Sequence, residues 1–174
     1  MYFSCLYHSP LGELTLASDG EALTGLWMEG QKHFAQHHSD PTEDPGLPIF
    51  TETAQWLDQY FAGNIYAPIH IPIHPAGTPF QQQVWQILST VPPGQTITYG
   101  QIAKLLGNPG ASQAVGGAVG RNPISILVPC HRVLGTDGKL TGYAGGLPRK
   151  VWLLRHEGIL IPTEADRILS ALVL

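Results

Sequence analysis

The chain has 174 residues, 43% of them apolar and 13% charged, enough for one ordinary domain or two small ones with a real core, and no run of about 18 apolar residues to span a bilayer. Its start, Met1-Tyr2-Phe3-Ser4-Cys5, lacks the basic stretch and apolar segment of a secretory signal, so a cytoplasmic protein without membrane contact is expected, with Cys5 and Cys130 free in a reducing compartment. The net charge of −4 excludes a uniformly basic protein, yet residues 1 to 100 carry one lysine against nine acids and residues 101 to 174 carry eight Lys and Arg against four, so the C-terminal part can still meet a polyanion.

The N-terminal stretch reads as β-rich. Tyr2 to His8, Gly12 to Ala17 and Leu23 to Met28 are separated by the turn residues Ser9-Pro10-Leu11-Gly12 and Ser18-Asp19-Gly20, which predicts a small antiparallel meander. The polar run Gln36 to Pro48 predicts a loop. From Phe50 to Phe61, the residues Phe50, Ala54, Leu57 and Phe61 recur at three and four, which predicts an apolar helix face ending at Gly63. Pro68, Pro72 and Pro75 exclude a helix, so residues 64 to 78 predict an extended connection and a domain boundary. The domains expected are 1–77 and 78–174.

The second half has a helical grammar. Thr78 can cap a helix with Pro79 at its first position and Phe80, Val84, Ile87 and Leu88 inward, stopped by Pro92-Pro93-Gly94. Thr98 to Gly107 predicts a short helix with Ile102, Leu105 and Leu106 inward. After the turn Asn108-Pro109-Gly110, Ala111 to Gly120 predicts a helix of small residues. Two short helices across a tight turn are the grammar of a helix-turn-helix, or equally of a plain helical hairpin. Leu147 to His156 and Thr163 to Leu172 predict two further helices, and the fold class expected is α+β, with the β-sheet and one helix first and a mostly helical part after.

Between these helices lies Pro129-Cys130-His131-Arg132-Val133, after the apolar run Ile124 to Val128 and before the loop Gly135-Thr136-Asp137-Gly138. A thiol beside an imidazole and a cation is a candidate nucleophile, because the thiolate is the reactive form. The alternative is a small buried hydrophobe. The groups to test with it are Asn122, Tyr99, His131 and Glu157. Side chains of sequence neighbours diverge, so a water could link the Cys130 sulfur to His131, with Glu157 fixing the other ring nitrogen.

The segment Asn122 to Val133 resembles the active-site segment of the methylated-DNA protein-cysteine methyltransferases. Thr98-Tyr99-Gly100-Gln101-Ile102-Ala103, Gly107-Asn108-Pro109, Ala114-Val115-Gly116-Gly117-Ala118, Gly142-Tyr143-Ala144-Gly145-Gly146 and Trp152 to Gly158 are similar to the family's other landmarks, in order. The likeness is strong over about residues 78 to 158. The N-terminal half resembles the family's ribonuclease H-like domain more loosely. The resemblance implies DNA repair by a single irreversible transfer of an alkyl group from O6 of guanine, and also from O4-alkylthymine, to Cys130, with the base flipped out of the duplex. It implies no cofactor, a monomer, and double-stranded DNA as partner, held by the small-residue helix in the minor groove.

By the same resemblance His131 is the water-linked base, Glu157 orients it and Asn122 holds the turn bearing the thiol. Tyr99 gives a proton to N3 of the departing base. The carbonyls of Cys130 and Val133 accept from its exocyclic amine. Tyr143, Ala144 and Gly145 close the pocket, Gly145 leaving room for alkyl groups larger than methyl. Gln113, Ala114, Gly116, Arg121, Lys104 and Arg132 face DNA, with service to the fold as the alternative for Arg132.

Two departures stand out. Gln113 occupies the place of an arginine that fills the gap left by the flipped base, and glutamine lacks its charge and stacking plane. The cysteine pair of a structural zinc site is missing, since Cys5 has no second cysteine before Cys130. His33, His37, His38, His70 and His74 read as solvated histidines, and no metal is expected. Other readings of the chain are a lesion-binding protein without transfer activity and a plain DNA-binding regulator.

Overall fold

The computed structural model describes residues 1–159 and Ile168. The helix expected over residues 163–172 lies outside the described residues, Ile168 excepted. The chain divides into two units, one of Met1–Ala76 with Pro123–Ser125, the other of Gly77–Asn122 with the described residues from Ile126 onward. Among the described residues no helix is long and apolar enough to cross a membrane.

In the first unit, strands β1 (Phe3–Ser9), β2 (Gly12–Ser18) and β3 (Leu23–Met28) form the antiparallel meander. A two-residue strand, β4 (Thr42–Glu43), pairs parallel with β1 inside the stretch expected as loop, giving the order β3-β2-β1-β4. Two residues carry no readable alternation, so β4 has no sequence signal. The outer side of β3 bonds to other segments of the same unit. Leu23 N–H donates to Pro72 O at 2.9 Å and Leu26 N–H to Pro123 O at 2.8 Å. Leu14, Leu16, Leu23 and Leu26 are fully buried, each contributing roughly 1.5–3 kcal/mol.

Helix α1 (Pro48–Phe61) packs on β1 and β2. It starts two residues earlier than expected because Pro48 suits a first helical position. Its buried face is Ile49, Phe50, Thr53, Trp56, Leu57 and Tyr60, while Ala54 and Phe61 are half-buried. The expected stripe was therefore turned toward the solvent side; Thr53 can face inward because its hydroxyl donates to Ile49 O at 2.7 Å.

The second unit opens with helix α2 (Pro79–Leu88), capped as expected by Thr78, with Gln81 completing a reciprocal capping box. Trp85 on its inner face donates from Nε1 to Ala118 O at 2.9 Å. Helix α3 (Tyr99–Leu105) begins with a second capping box, Thr98 with Gln101, and helix α4 (Ser112–Gly120) packs against both α2 and α3. Ile102 and Ala103 are the buried residues of α3, whereas Leu105, expected inward, is 67% exposed. A seven-residue helix has too few turns for its period to fix an inner face. Helix α5 (Leu147–His156) buries Val151, Leu153 and Leu154, as expected, and also Lys150.

Candidate active site

The approach to Cys130 is an irregular, buried chain. Ile126 has φ 72°, a left-handed conformation that is a true outlier for a β-branched residue. The reversal lets Asn122 Nδ2 donate to Val128 O at 2.8 Å, and Cys130 N–H donates to the same carbonyl at 2.8 Å. Cys130–Arg132 then form one 3-10 turn, closed by Arg132 N–H on Pro129 O at 3.0 Å. Strand β6 (Val133–Leu134) leaves this turn and pairs parallel with β5 (Ile97–Thr98). Since Thr98 ends β5 and caps α3, that pairing brings Tyr99 to the cysteine turn across more than thirty residues of sequence.

The side chains of His131 and Glu157 are fully buried, and Arg132 nearly so. Arg132 Nε donates to Glu157 Oε1 at 2.7 Å and Nη2 to Oε2 at 2.8 Å, while Nη1 donates to Val91 O at 2.6 Å. Burial alone would push Glu157 up, but Arg132 and His131 outweigh it and hold the carboxyl well below the usual carboxylate range. A carboxylate only accepts, so the 2.8 Å bond from His131 Nε2 to Oε2 must carry the proton on Nε2. In the neutral ring Nδ1 is then a lone-pair acceptor. It is buried and makes no hydrogen bond among the described residues, and burial pushes the His131 pKa down, keeping the ring neutral.

Cys130 is 3% exposed. Burial pushes its thiol up, against the opposing effects of the Asn122 amide, the Lys150 ammonium and the Tyr143 hydroxyl. Lys150 has no counterpart in the sequence reading. It is fully buried, and Nζ donates to Val133 O at 2.5 Å and to Thr141 O at 3.3 Å. Burial lowers its pKa to about 8, with Cys130 pulling the other way. Its signal was present: Lys150 stands three and four residues before Leu153 and Leu154, on the buried face of α5.

Cys130, His131, Asn122, Glu157, Tyr99 and Tyr143 thus all belong to the second unit, around one cysteine turn. The carbonyl of Cys130 accepts from Val133 N–H and that of Val133 from Lys150, leaving each oxygen one further lone pair. Tyr143 to Gly146 form a turn, closed by Gly146 N–H on Tyr143 O at 2.9 Å, with Ala144 and Gly145 half-buried.

Of the residues expected to face DNA, Gln113, Ala114, Lys104 and Arg121 are exposed, and Gly116 is half-buried beneath the Tyr99 ring. Arg132 is the correction. Its guanidinium is committed to Glu157 and Val91 inside the unit, so it serves the fold and no phosphate can reach it.

Among the described residues no group of three or more His, Cys, Asp and Glu could hold a metal ion. His38 is not a solvated loop residue: burial holds its pKa down, its ring lies tilted by 39° at 4.2 Å from that of Tyr2, and Nε2 lies 2.9 Å from Thr24 Oγ1.

Residues 2–75 match the family described as 6-O-methylguanine DNA methyltransferase, ribonuclease-like domain, and residues 79–159 the 6-O-methylguanine DNA methyltransferase, DNA binding domain. The methylated-DNA–protein-cysteine methyltransferase of Methanosarcina acetivorans is 46% identical over 91% of this chain and 99% of its own. That of Shigella flexneri is 59% identical, over 60% of this chain and 61% of its own. The crystal structure of Mycobacterium tuberculosis OGT in complex with DNA is similar at TM-score 0.80 and 47% identity, covering 90% of this chain and 91% of that one.

Proposed function

The chain belongs to the methylated-DNA–protein-cysteine methyltransferases, and we propose that it repairs DNA by taking an alkyl group from O6 of a flipped guanine onto Cys130, in one irreversible transfer. The observation that carries this reading is the fixed proton arrangement behind the thiol. Glu157, locked as a carboxylate, holds the His131 proton on Nε2 and leaves Nδ1 as a buried acceptor. An imidazole so prepared takes the thiol proton through one water.

The steps balance. Cys130 loses its proton to His131 Nδ1, the new S–C bond forms as the C–O6 bond breaks, and the departing base takes a proton at N3 from Tyr99. The proton on His131 returns to Tyr99 through solvent, so thiol plus alkylguanine become thioether plus guanine. The thioether has no leaving path, and the protein reacts once. The Lys150 ammonium favours the thiolate and is the counterion for the developing sulfur charge. A buried thiol with a raised pKa thereby reacts slowly until a base fills the pocket.

Duplex DNA is the partner, gripped by α4 in the minor groove. Support comes from its glycines. A Cβ at Gly117 or Gly120 would meet nothing within 4 Å, and one at Gly116 only the Tyr99 ring at 3.8 Å. Packing therefore does not require glycine there, although each costs about 1 kcal/mol relative to alanine in a helix. A low helix surface lets the backbone approach the groove. Lys104 and Arg121 supply phosphate contacts, and Gln113 enters the gap left by the base. The pocket accepts alkyl groups larger than methyl beside Gly145. The protein works as a monomer in the cytoplasm.

The test is Cys130→Ser. The variant is expected to bind duplex containing O6-methylguanine yet leave the methyl group on the DNA; methyl loss from the DNA at the parent rate would sink the assignment.

A further inference from the structure

Thr141 lies between two groups already described. Its carbonyl accepts from Lys150 Nζ at 3.3 Å, and its Oγ1 is 3.3 Å from the Tyr99 hydroxyl oxygen. Its Cγ2 methyl fills the space beside Gly135, where a Cβ would come within 2.7 Å of it. Gly135 is itself held by its N–H on Lys139 O at 2.9 Å. The hydroxyl at Tyr99 and the methyl beside Gly135 hold the β-branched side chain in one orientation, and Lys150 holds its backbone. Tyr99 is equally fixed, as the first residue of α3 behind its capping box with its ring over Gly116.

We propose that Thr141 is a positioning residue for alkyl transfer, its hydroxyl donating to the phenolic oxygen of Tyr99 and so aiming the Tyr99 proton at the departing base. The proposal rests on the reading of Tyr99 as proton donor. Once the Tyr99 proton is committed to the base, its oxygen can only accept, so the bond must run from Thr141. As that proton moves to N3, negative charge grows on the phenolic oxygen, and the Thr141 donor strengthens with it. That stabilises the transition state more than the ground state. Thr141 keeps its own proton throughout. Lys150, bonded to the Thr141 carbonyl, thereby helps hold the residue that aims Tyr99.

The test uses the full chain, free O6-benzylguanine and iodoacetamide, with each product measured at Cys130 by mass. Iodide leaves without a proton, so iodoacetamide reports the thiol alone. Thr141→Val is expected to slow benzyl transfer about threefold to tenfold while leaving the iodoacetamide rate unchanged. Thr141→Ser, which keeps the hydroxyl, should restore most of the benzyl rate. In a Tyr99→Phe background, Thr141→Val should produce no further loss. Equal slowing with both reagents would make Thr141 merely structural and overturn the proposal, as would an unchanged benzyl rate or an undiminished effect without the phenol. If Tyr99→Phe alone reacts at the parent rate, the donor reading of Tyr99 falls and takes the proposal with it; a slow Tyr99→Phe beside a normal Thr141→Val removes Thr141 alone.

Discussion

Glu157 accepts the Nε2 proton of His131 at 2.8 Å through the same Oε2 that receives Arg132 Nη2 at 2.8 Å. One carboxylate thus fixes a tautomer and neutralises a buried guanidinium. Glu157→Gln removes that charge while keeping the shape, leaving Arg132 uncompensated. We predict a loss of about 3–5 kcal/mol in unfolding free energy, measured by denaturant titration, and slower transfer in whatever protein remains folded.

The pH dependence follows with its sign. His131 is depressed by burial, so below its ordinary value of 6.5 the unfolded chain binds the proton first. Glu157 is depressed in the folded state, so below 4.5 the unfolded chain again binds more protons. Stability from both groups is present at neutral pH and is lost on acidification, from about 6.5 downward for His131 and from 4.5 downward for Glu157. Thermal midpoints should fall through both windows, and a His131→Asn variant should lose the His131 share of the upper one, leaving that of His38, whose pKa burial also holds down. A midpoint flat between pH 7 and 5 would contradict the neutral buried ring.

Lys150 acts with the same sign in an alkaline window. Its folded pKa of about 8 lies below the 10.5 of an exposed lysine, so the unfolded chain holds the extra proton between those values and stability from this group rises with pH across them. Lys150→Met should abolish that rise and slow iodoacetamide modification of Cys130, because the ammonium favours the thiolate. An unchanged thiol rate would show that the ammonium does not act on the sulfur.

How much of this could be read from the chain differs by residue. The cap of α2 was legible because Thr78 stands directly before Pro79, whereas Thr98, which caps α3 with Gln101, reads as part of the helix it starts. The cysteine turn was legible as chemistry, since its residue types stand side by side. The link of β5 to β6 was not, because two-residue strands have no period and their partners are far apart in sequence. The left-handed Ile126 was hidden too, in a residue type that avoids that conformation. Arg132 is expected among the DNA-facing residues because a cation reads as a surface residue until its partners are known, and those partners are a backbone carbonyl and a carboxylate set by the fold.

Gln113 is exposed on the first turn of α4. Gln113→Arg is expected to speed transfer from duplex DNA by about tenfold, recovering about 1.4 kcal/mol of the few kcal/mol needed to extrude a base. Reaction with free O6-benzylguanine should not change. Equal duplex rates for the two proteins would show that base extrusion does not depend on this position.

Gly117 separates fold from groove. Its Cβ would meet nothing, so Gly117→Ala should raise stability by about 0.5–1 kcal/mol. Gly117→Val, whose branches project farther, should weaken duplex binding and leave the free-base reaction intact. Unweakened duplex binding by the valine variant would remove α4 from the DNA surface.

The most direct test of the whole account is the mass of the protein and of its Cys130 peptide after incubation with duplex DNA containing O6-methylguanine. One methyl group per protein molecule is expected, on Cys130, with guanine restored in the DNA and no second turnover. Binding without a mass change, or a methyl group on any other residue, would contradict it.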